Sequence, residues 1–171
     1  MPIFREMSAA EALRVLRRNA IGRIAYSLRD RVEVVPIHYI SDGRWLYLRT
    51  SPGFKVAVLK RNRWLALQAD EVESMVSWRS VLVHGTAYVL SPDSTPDLAR
   101  RYARAVRKLR ALMPEALTAD DPVAFRSVFL GIHIDAIAGR EALPGSARGS
   151  LRGSRARAAG ASDTRGRNNS G

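Results

Sequence analysis

Val34-Val35-Pro36-Ile37-His38-Tyr39-Ile40, Ser41-Asp42-Gly43 and Arg44-Trp45-Leu46-Tyr47-Leu48-Arg49-Thr50 follow one another without a gap. β-Branched and aromatic residues crowd both flanks, and the Asp-Gly pair between them is a strong hairpin signal. The second flank alternates, with Trp45, Tyr47 and Arg49 on one face and Leu46 and Leu48 on the other. Strands joined by so short a turn pair antiparallel, so this stretch sets the fold class. Pro36 cannot donate to a strand ladder, which places its strand at a sheet edge or a bulge.

Outward from the hairpin, further strands are expected at residues 23–27, 32–40, 64–69, 79–90 and 125–137, the last broken at Gly131. With residues 44–50 these make six. Ser8-Ala9-Ala10-Glu11 is a capping box opening a helix over residues 9–19, which Gly22 stops. Residues 54–61 have helical spacing, with Val56, Ala57 and Leu59 apolar. A long helix starts where Thr95 caps, Pro96 suits the first position and Asp97 suits the dipole. Its apolar stripe is Leu98, Tyr102, Val106, Leu109 and Met113. Antiparallel strands with few helices predict a mainly β, α+β domain built as a small barrel. No strand–GxGxxG–helix unit or Walker loop is present.

The chain has 171 residues, of which 46% are hydrophobic, enough for one core. It has no cysteine, which excludes disulfides, thiolate metal sites and cysteine nucleophiles. Three histidines make a histidine-rich metal site a poor reading. No apolar run is long enough to span a membrane, and the N-terminus has no signal-peptide core, so a cytoplasmic protein without membrane attachment is expected. The formal net charge is +12, and residues 144–171 carry six arginines against Asp163 alone. That segment is poor in large apolar residues, so it reads as a disordered basic tail following a domain of residues 1–143. Such a tail is either a solvated end or an arm for nucleic acid.

The local chemistry is densest at Arg49-Thr50-Ser51-Pro52-Gly53-Phe54-Lys55. A strand ends, two hydroxyls follow, glycine permits close backbone approach, and a helix opens on a lysine. Free amides at a helix start favour an anion, so Thr50, Ser51 and Lys55, with Arg49 behind them, form a candidate phosphate cradle. An ordinary strand–helix turn has the same composition. Backbone around Pro36 could meet a planar ligand. His38 shares a face with Val34, Pro36 and Ile40 and is a candidate proton donor, although a lone histidine there is more often structural. His84 and His133 lie in strands without an evident partner. Trp78 and Ser80 could stack on and hydrogen-bond a ligand, or pack a core or subunit contact. No dedicated acid–base pair stands out, which suits a protein whose chemistry belongs to a cofactor.

Asn19-Ala20-Ile21-Gly22-Arg23-Ile24-Ala25, Val34-Val35-Pro36-Ile37-His38-Tyr39, Tyr47-Leu48-Arg49-Thr50, Pro52-Gly53-Phe54-Lys55 and Trp78-Arg79-Ser80-Val81-Leu82-Val83-His84-Gly85 occur in an informative order. Together they resemble the pyridoxamine 5′-phosphate oxidase-like, FMN-binding split-barrel family, in its small branch related to nitroimidazole reductases. The resemblance implies a six-stranded antiparallel split barrel, a homodimer, and FMN in a cleft between subunits. It implies that Thr50, Ser51 and Lys55, and more weakly Arg49, hold the FMN phosphate. Val35, Pro36 and Ile37 would lie along the flavin ring, and Trp78 and Ser80 would approach it from the facing subunit. The implied activity is an FMN-dependent oxidoreductase acting on a small molecule, nitroreductase-like in its branch. Related barrels bind deazaflavin or haem. After Arg140 the chain lacks the C-terminal segment of pyridoxamine phosphate oxidases proper, so vitamin B6 synthesis is not expected. The alternative from another class is a non-enzymatic basic barrel that binds nucleic acid.

Overall fold

The structure, a computed structural model, describes residues 1–145. The basic tail expected at 144–171 therefore lies outside the described residues, apart from Pro144 and Gly145. Eleven elements follow in order: β1 (Ile3–Met7), α1 (Ala9–Arg18), β2 (Ile21–Leu28), β3 (Arg31–His38), β4 (Ile40–Asp42), β5 (Trp45–Thr50), α2 (Phe54–Arg61), β6 (Trp64–Ser74), β7 (Ser77–Leu90), α3 (Pro96–Leu112) and β8 (Val128–Leu143). The strands form one antiparallel sheet in the order β3-β2-β6-β7-β8-β5-β4, with β1 also on β8. The sheet curls into a split barrel, the class expected from the hairpin. Among the described residues no helix is long and apolar enough to cross a membrane.

The strand count is eight rather than six. β1 was missed because only Met7 of its five residues is buried, which leaves no alternation to read. The expected strand over 32–40 divides at Tyr39. This residue is buried; its amide donates to the Ala20 carbonyl at 2.8 Å and its hydroxyl to the Leu16 carbonyl at 3.0 Å. It thus ties the turn to α1 instead of continuing a ladder, and burial pushes its hydroxyl up to about 12. The final strand starts later and runs further than 125–137, to Leu143. It passes straight through Gly131; the irregularity falls at Asp135, where the β7 register steps from His84↔Ala136 to Gly85↔Ile134.

Helix ends follow local chemistry. The Ser8–Glu11 capping box is formed, with the Ser8 amide donating to Glu11 Oε2 at 2.7 Å. Asn19 closes α1, its side-chain amide donating to the Val15 carbonyl at 2.8 Å. Gly22 is not the stop: it lies inside β2, where a Cβ would sit 2.8 Å from the Gln68 carbonyl oxygen. Thr95 precedes α3 but makes no side-chain cap bond. In α2 the buried residues are Val56, Val58 and Leu59, whereas Ala57 faces out.

The alternation read in 44–50 separates two cores. Leu46 and Leu48 join Leu16, Ile24, Leu67, Val83 and Ile132 inside the barrel. Trp45 and Tyr47 turn the other way, toward a second cluster where α3 lays Leu98, Tyr102, Val106 and Leu109 over Leu90 and Phe129. The expected α3 stripe is thus what attaches this helix to the sheet. Full burial of such a side chain contributes roughly 1.5–3 kcal/mol, and the partly buried α3 residues contribute less each.

Candidate functional site

The join between β5 and α2 collects the expected phosphate residues. Thr50 ends β5 with 8% of its surface exposed, and Ser51 follows it half-buried. Gly53 precedes α2 with φ 153° and ψ −164°, a region that only glycine enters at little cost. No side chain caps the helix, so its first amides are left for another acceptor. Lys55 is half-buried, and its amine is pushed below the usual lysine range, first by burial and then by the nearby Arg126 guanidinium. Among the described residues neither Lys55 nor Arg126 has an acidic partner within ion-pair distance. Two hydroxyls, free amides and two unneutralised cations form a donor set that fits a phosphate dianion.

Arg126 was not foreseen. It lies just before β8, within the strand expected over 125–137, where nothing in the sequence pointed to a phosphate ligand. Arg49, by contrast, does not join the cradle. Alternation along β5 turns it to the face opposite Thr50, where Nη2 meets Asp121 Oδ2 at 2.7 Å. Asp121 also accepts amide hydrogens from Leu117 at 2.7 Å and Val123 at 3.0 Å. The Arg49 guanidinium, followed by those amides, holds its carboxyl down at about 2. The Asp120-Asp121-Pro122 turn was the available sequence signal for this pair.

Val35, Pro36 and Ile37 lie on β3, which pairs only with β2 and forms one end of the sheet path. Pro36 therefore sits on an edge strand, as expected. Ile37 points into the core, Val35 packs against it, and Pro36 faces out. His38 ends β3, exposed, opposite Ile21. Trp78 and Ser80 begin β7, far along the sheet from Thr50. Trp78 packs near Phe4, with ring centres 6.3 Å apart, and Ser80 accepts from Gln68 Nε2 at 3.3 Å. One chain thus brings Thr50, Ser51 and Lys55 to one join with Arg126 near Lys55, sets Val35, Pro36 and Ile37 on an edge strand, and leaves Trp78 and Ser80 apart. His133, read as unpartnered, holds Asp135 through Nδ1 at 2.7 Å.

The outer sheet face carries several exposed apolar side chains among polar ones such as Arg23, Gln68 and His84. Val32, Val34, Trp64, Val72 and Leu82 are all exposed, the last by 41%. The basic face of α3 is largely engaged within the chain. Arg104 and Lys108 meet Asp42, Arg100 meets Asp97, and Arg101 lies 4.6 Å from the Trp45 ring centre.

The sequence model of the family described as pyridoxamine 5′-phosphate oxidase matches residues 8–141. A FAD-binding protein from Mesorhizobium loti superposes with a TM-score of 0.64 at 29% identity, covering 84% of this chain and all of that one. The FAD binding protein from Mycobacterium smegmatis superposes with a TM-score of 0.57 at 23% identity, covering 80% and 95%. An uncharacterised protein of Rhizobium meliloti (strain 1021) is 35% identical over 81 residues, 47% of this chain and 54% of that one. The match spans about half the length of that curated relative.

Proposed function

The chain belongs to the pyridoxamine 5′-phosphate oxidase family, and from that premise we propose that it is an FMN-binding oxidoreductase of a small molecule, working as a homodimer. The observation that carries the reading is Lys55, a half-buried cation without an acidic partner, beside Thr50, Ser51 and the uncapped start of α2, with Arg126 near enough to lower its pKa. When bound, the flavin supplies the hydride or electron transfer. The chain's own residues bind and orient it. Lys55 and Arg126 balance the phosphate charge, while Thr50 and Ser51 donate to its oxygens. The edge backbone at Val35, Pro36 and Ile37 lines the ring, and Trp78 and Ser80 reach it from a second copy. The exposed apolar side chains of the outer sheet face exclude water once two copies pair.

FAD is the second reading, favoured by the Mesorhizobium loti relative at 29% identity. The same cradle would take its phosphate nearer the ring. The test is the visible absorption spectrum of freshly purified protein, followed by chromatography of the released chromophore. A yellow protein releasing FMN supports the proposal. Released FAD moves the assignment to the second reading, and a haem or deazaflavin spectrum replaces both. A colourless protein that takes up no added flavin, but binds nucleic acid with steep salt dependence, identifies a basic binding barrel instead.

A further inference from the structure

A cavity of about 310 Å³ lies beneath α3, at the small end of the range for ligand pockets. Tyr39, Tyr47, Leu48, Leu109 and Phe129 make its wall mainly apolar. The charged side chains that line it are Arg49 and Arg126, both positive. Arg49 is held rigidly: its side chain is 8% exposed, Nη2 is fixed to Asp121, and its guanidinium carbon stands 6.0 Å from the Phe129 ring centre. Its Nε and Nη1 are buried and have no hydrogen-bond partner among the described residues. Asp121 cannot turn to serve them, because its two oxygens already accept from Leu117 and Val123. Buried donors left unpaired are costly and rare, and an acceptor arriving with a ligand removes that cost.

We propose that this cavity is a second ligand site, for a compact aromatic carboxylate whose head is held by Arg49 and whose ring lies among Tyr47, Leu109 and Phe129. A carboxylate is favoured over a neutral acceptor because no acid lines the wall and two guanidinium groups do. The small volume selects a one- or two-ring molecule. The cavity reaches His38, one residue beyond Ile37, and meets the β5–α2 cradle only through Arg126, so its occupant is held by Arg49 beside β3. The site goes beyond the flavin assignment and stands whether or not a flavin binds.

Calorimetric titration of the full chain with benzoate and 2-naphthoate, against benzamide and 2-naphthamide, tests this. It is run on protein as purified and after saturation with FMN. The expected result is one carboxylate per chain, with the amide at least about tenfold weaker, in both preparations. Leu109→Trp, which fills the cavity, should abolish carboxylate binding while leaving flavin content unchanged. Arg49→Lys, which can still reach Asp121 but lacks the two unpartnered N–H groups, should weaken it by about tenfold. Amides binding as tightly as carboxylates, no carboxylate binding at millimolar concentration, or binding unaffected in Arg49→Lys would overturn the assignment. So would displacement of the carboxylate by FMN, which would make the cavity part of the flavin site. A protein that binds the carboxylate but no flavin keeps this site and removes the flavin reading.

Discussion

Thr50 and Trp78 stand toward opposite ends of the same neighbouring strand: Thr50 pairs with Val128 and Trp78 with Ala142. Fourteen positions of β8 separate those partners, roughly 45 Å along an extended strand. A single flavin is far shorter than that. If both residues serve one flavin, they come from two copies of the chain. The exposed sheet face carrying Val34, Trp64 and Leu82 is the surface on which two copies would meet. Sedimentation of the wild type at micromolar concentration should therefore give a dimer. Leu82→Glu should give a folded monomer that has lost flavin. A wild-type monomer with cofactor still bound would exclude the shared cleft.

At the cradle, a charge-assisted contact with phosphate is worth about 1.5–3 kcal/mol, so Lys55→Ala should weaken FMN roughly ten- to hundred-fold. Arg126→Ala should do the same. Riboflavin, which lacks the phosphate, should bind these variants as it binds the wild type. Thr50→Val and Ser51→Ala should show the same selectivity at smaller size. Flavin fluorescence titrations read the difference. Equal losses for FMN and riboflavin would indicate a distorted cleft rather than a lost phosphate contact.

Lys55 also sets a pH dependence. Burial and Arg126 hold its amine below the ordinary value of 10.5 before any anion binds. The ammonium that phosphate needs is thus lost at a lower pH than for a free lysine. FMN affinity should fall as the pH rises through that depressed range, while riboflavin affinity stays flat. Arg126→Ala should move the fall to higher pH, and Lys55→Arg should abolish it. An identical pH profile in the wild type and Lys55→Arg would remove Lys55 from the site.

The Arg49–Asp121 pair predicts part of the acid sensitivity of the fold. The Asp121 carboxyl lies at about 2 when folded, against an ordinary 3.8, so the folded state favours the ionised form. Its contribution is fully present above the ordinary value and is lost as the pH falls toward about 2. Asp121→Asn should lower Tm at neutral pH, because it leaves a buried guanidinium without its counter-charge. The gap between variant and wild type should narrow from pH 4 downward. A gap independent of pH would mean that the pair does not titrate with unfolding.

The sequence made the hairpin, the α1 cap and the α3 stripe readable because each is set by neighbours within a few residues. Asp42-Gly43 turns with Gly43 at φ 62°, and Ser8 and Glu11 bond each other across three positions. That Thr50, Ser51 and Lys55 fall at one strand–helix join was legible for the same reason, since a strand, a glycine and a helix start adjoin in the chain. What escaped depends on distant partners. β1 is a strand because β8 offers it a ladder, not because its own residues alternate. Arg49 looked like a phosphate ligand until Asp121, 72 positions later, claimed it. Arg126 comes close to Lys55 from the stretch read as the start of the last strand, where nothing local points to Lys55.

β8 is hydrogen-bonded to β7 along most of its length, to β5 at one end and to β1 at the other. A ribosome delivers this strand last among the eight. At roughly 5–20 residues per second, β5 waits several seconds for its partner after its own residues are made. During that interval Leu46, Leu48 and Tyr47 have no β8 ladder to rest against, and β1 has no ladder at all. The pairs among β2, β3, β6 and β7 can form earlier, but the barrel closes only when its final strand arrives, and a message truncated before Val128 leaves β7, β5 and β1 as open strand edges exposed to chaperones and proteases.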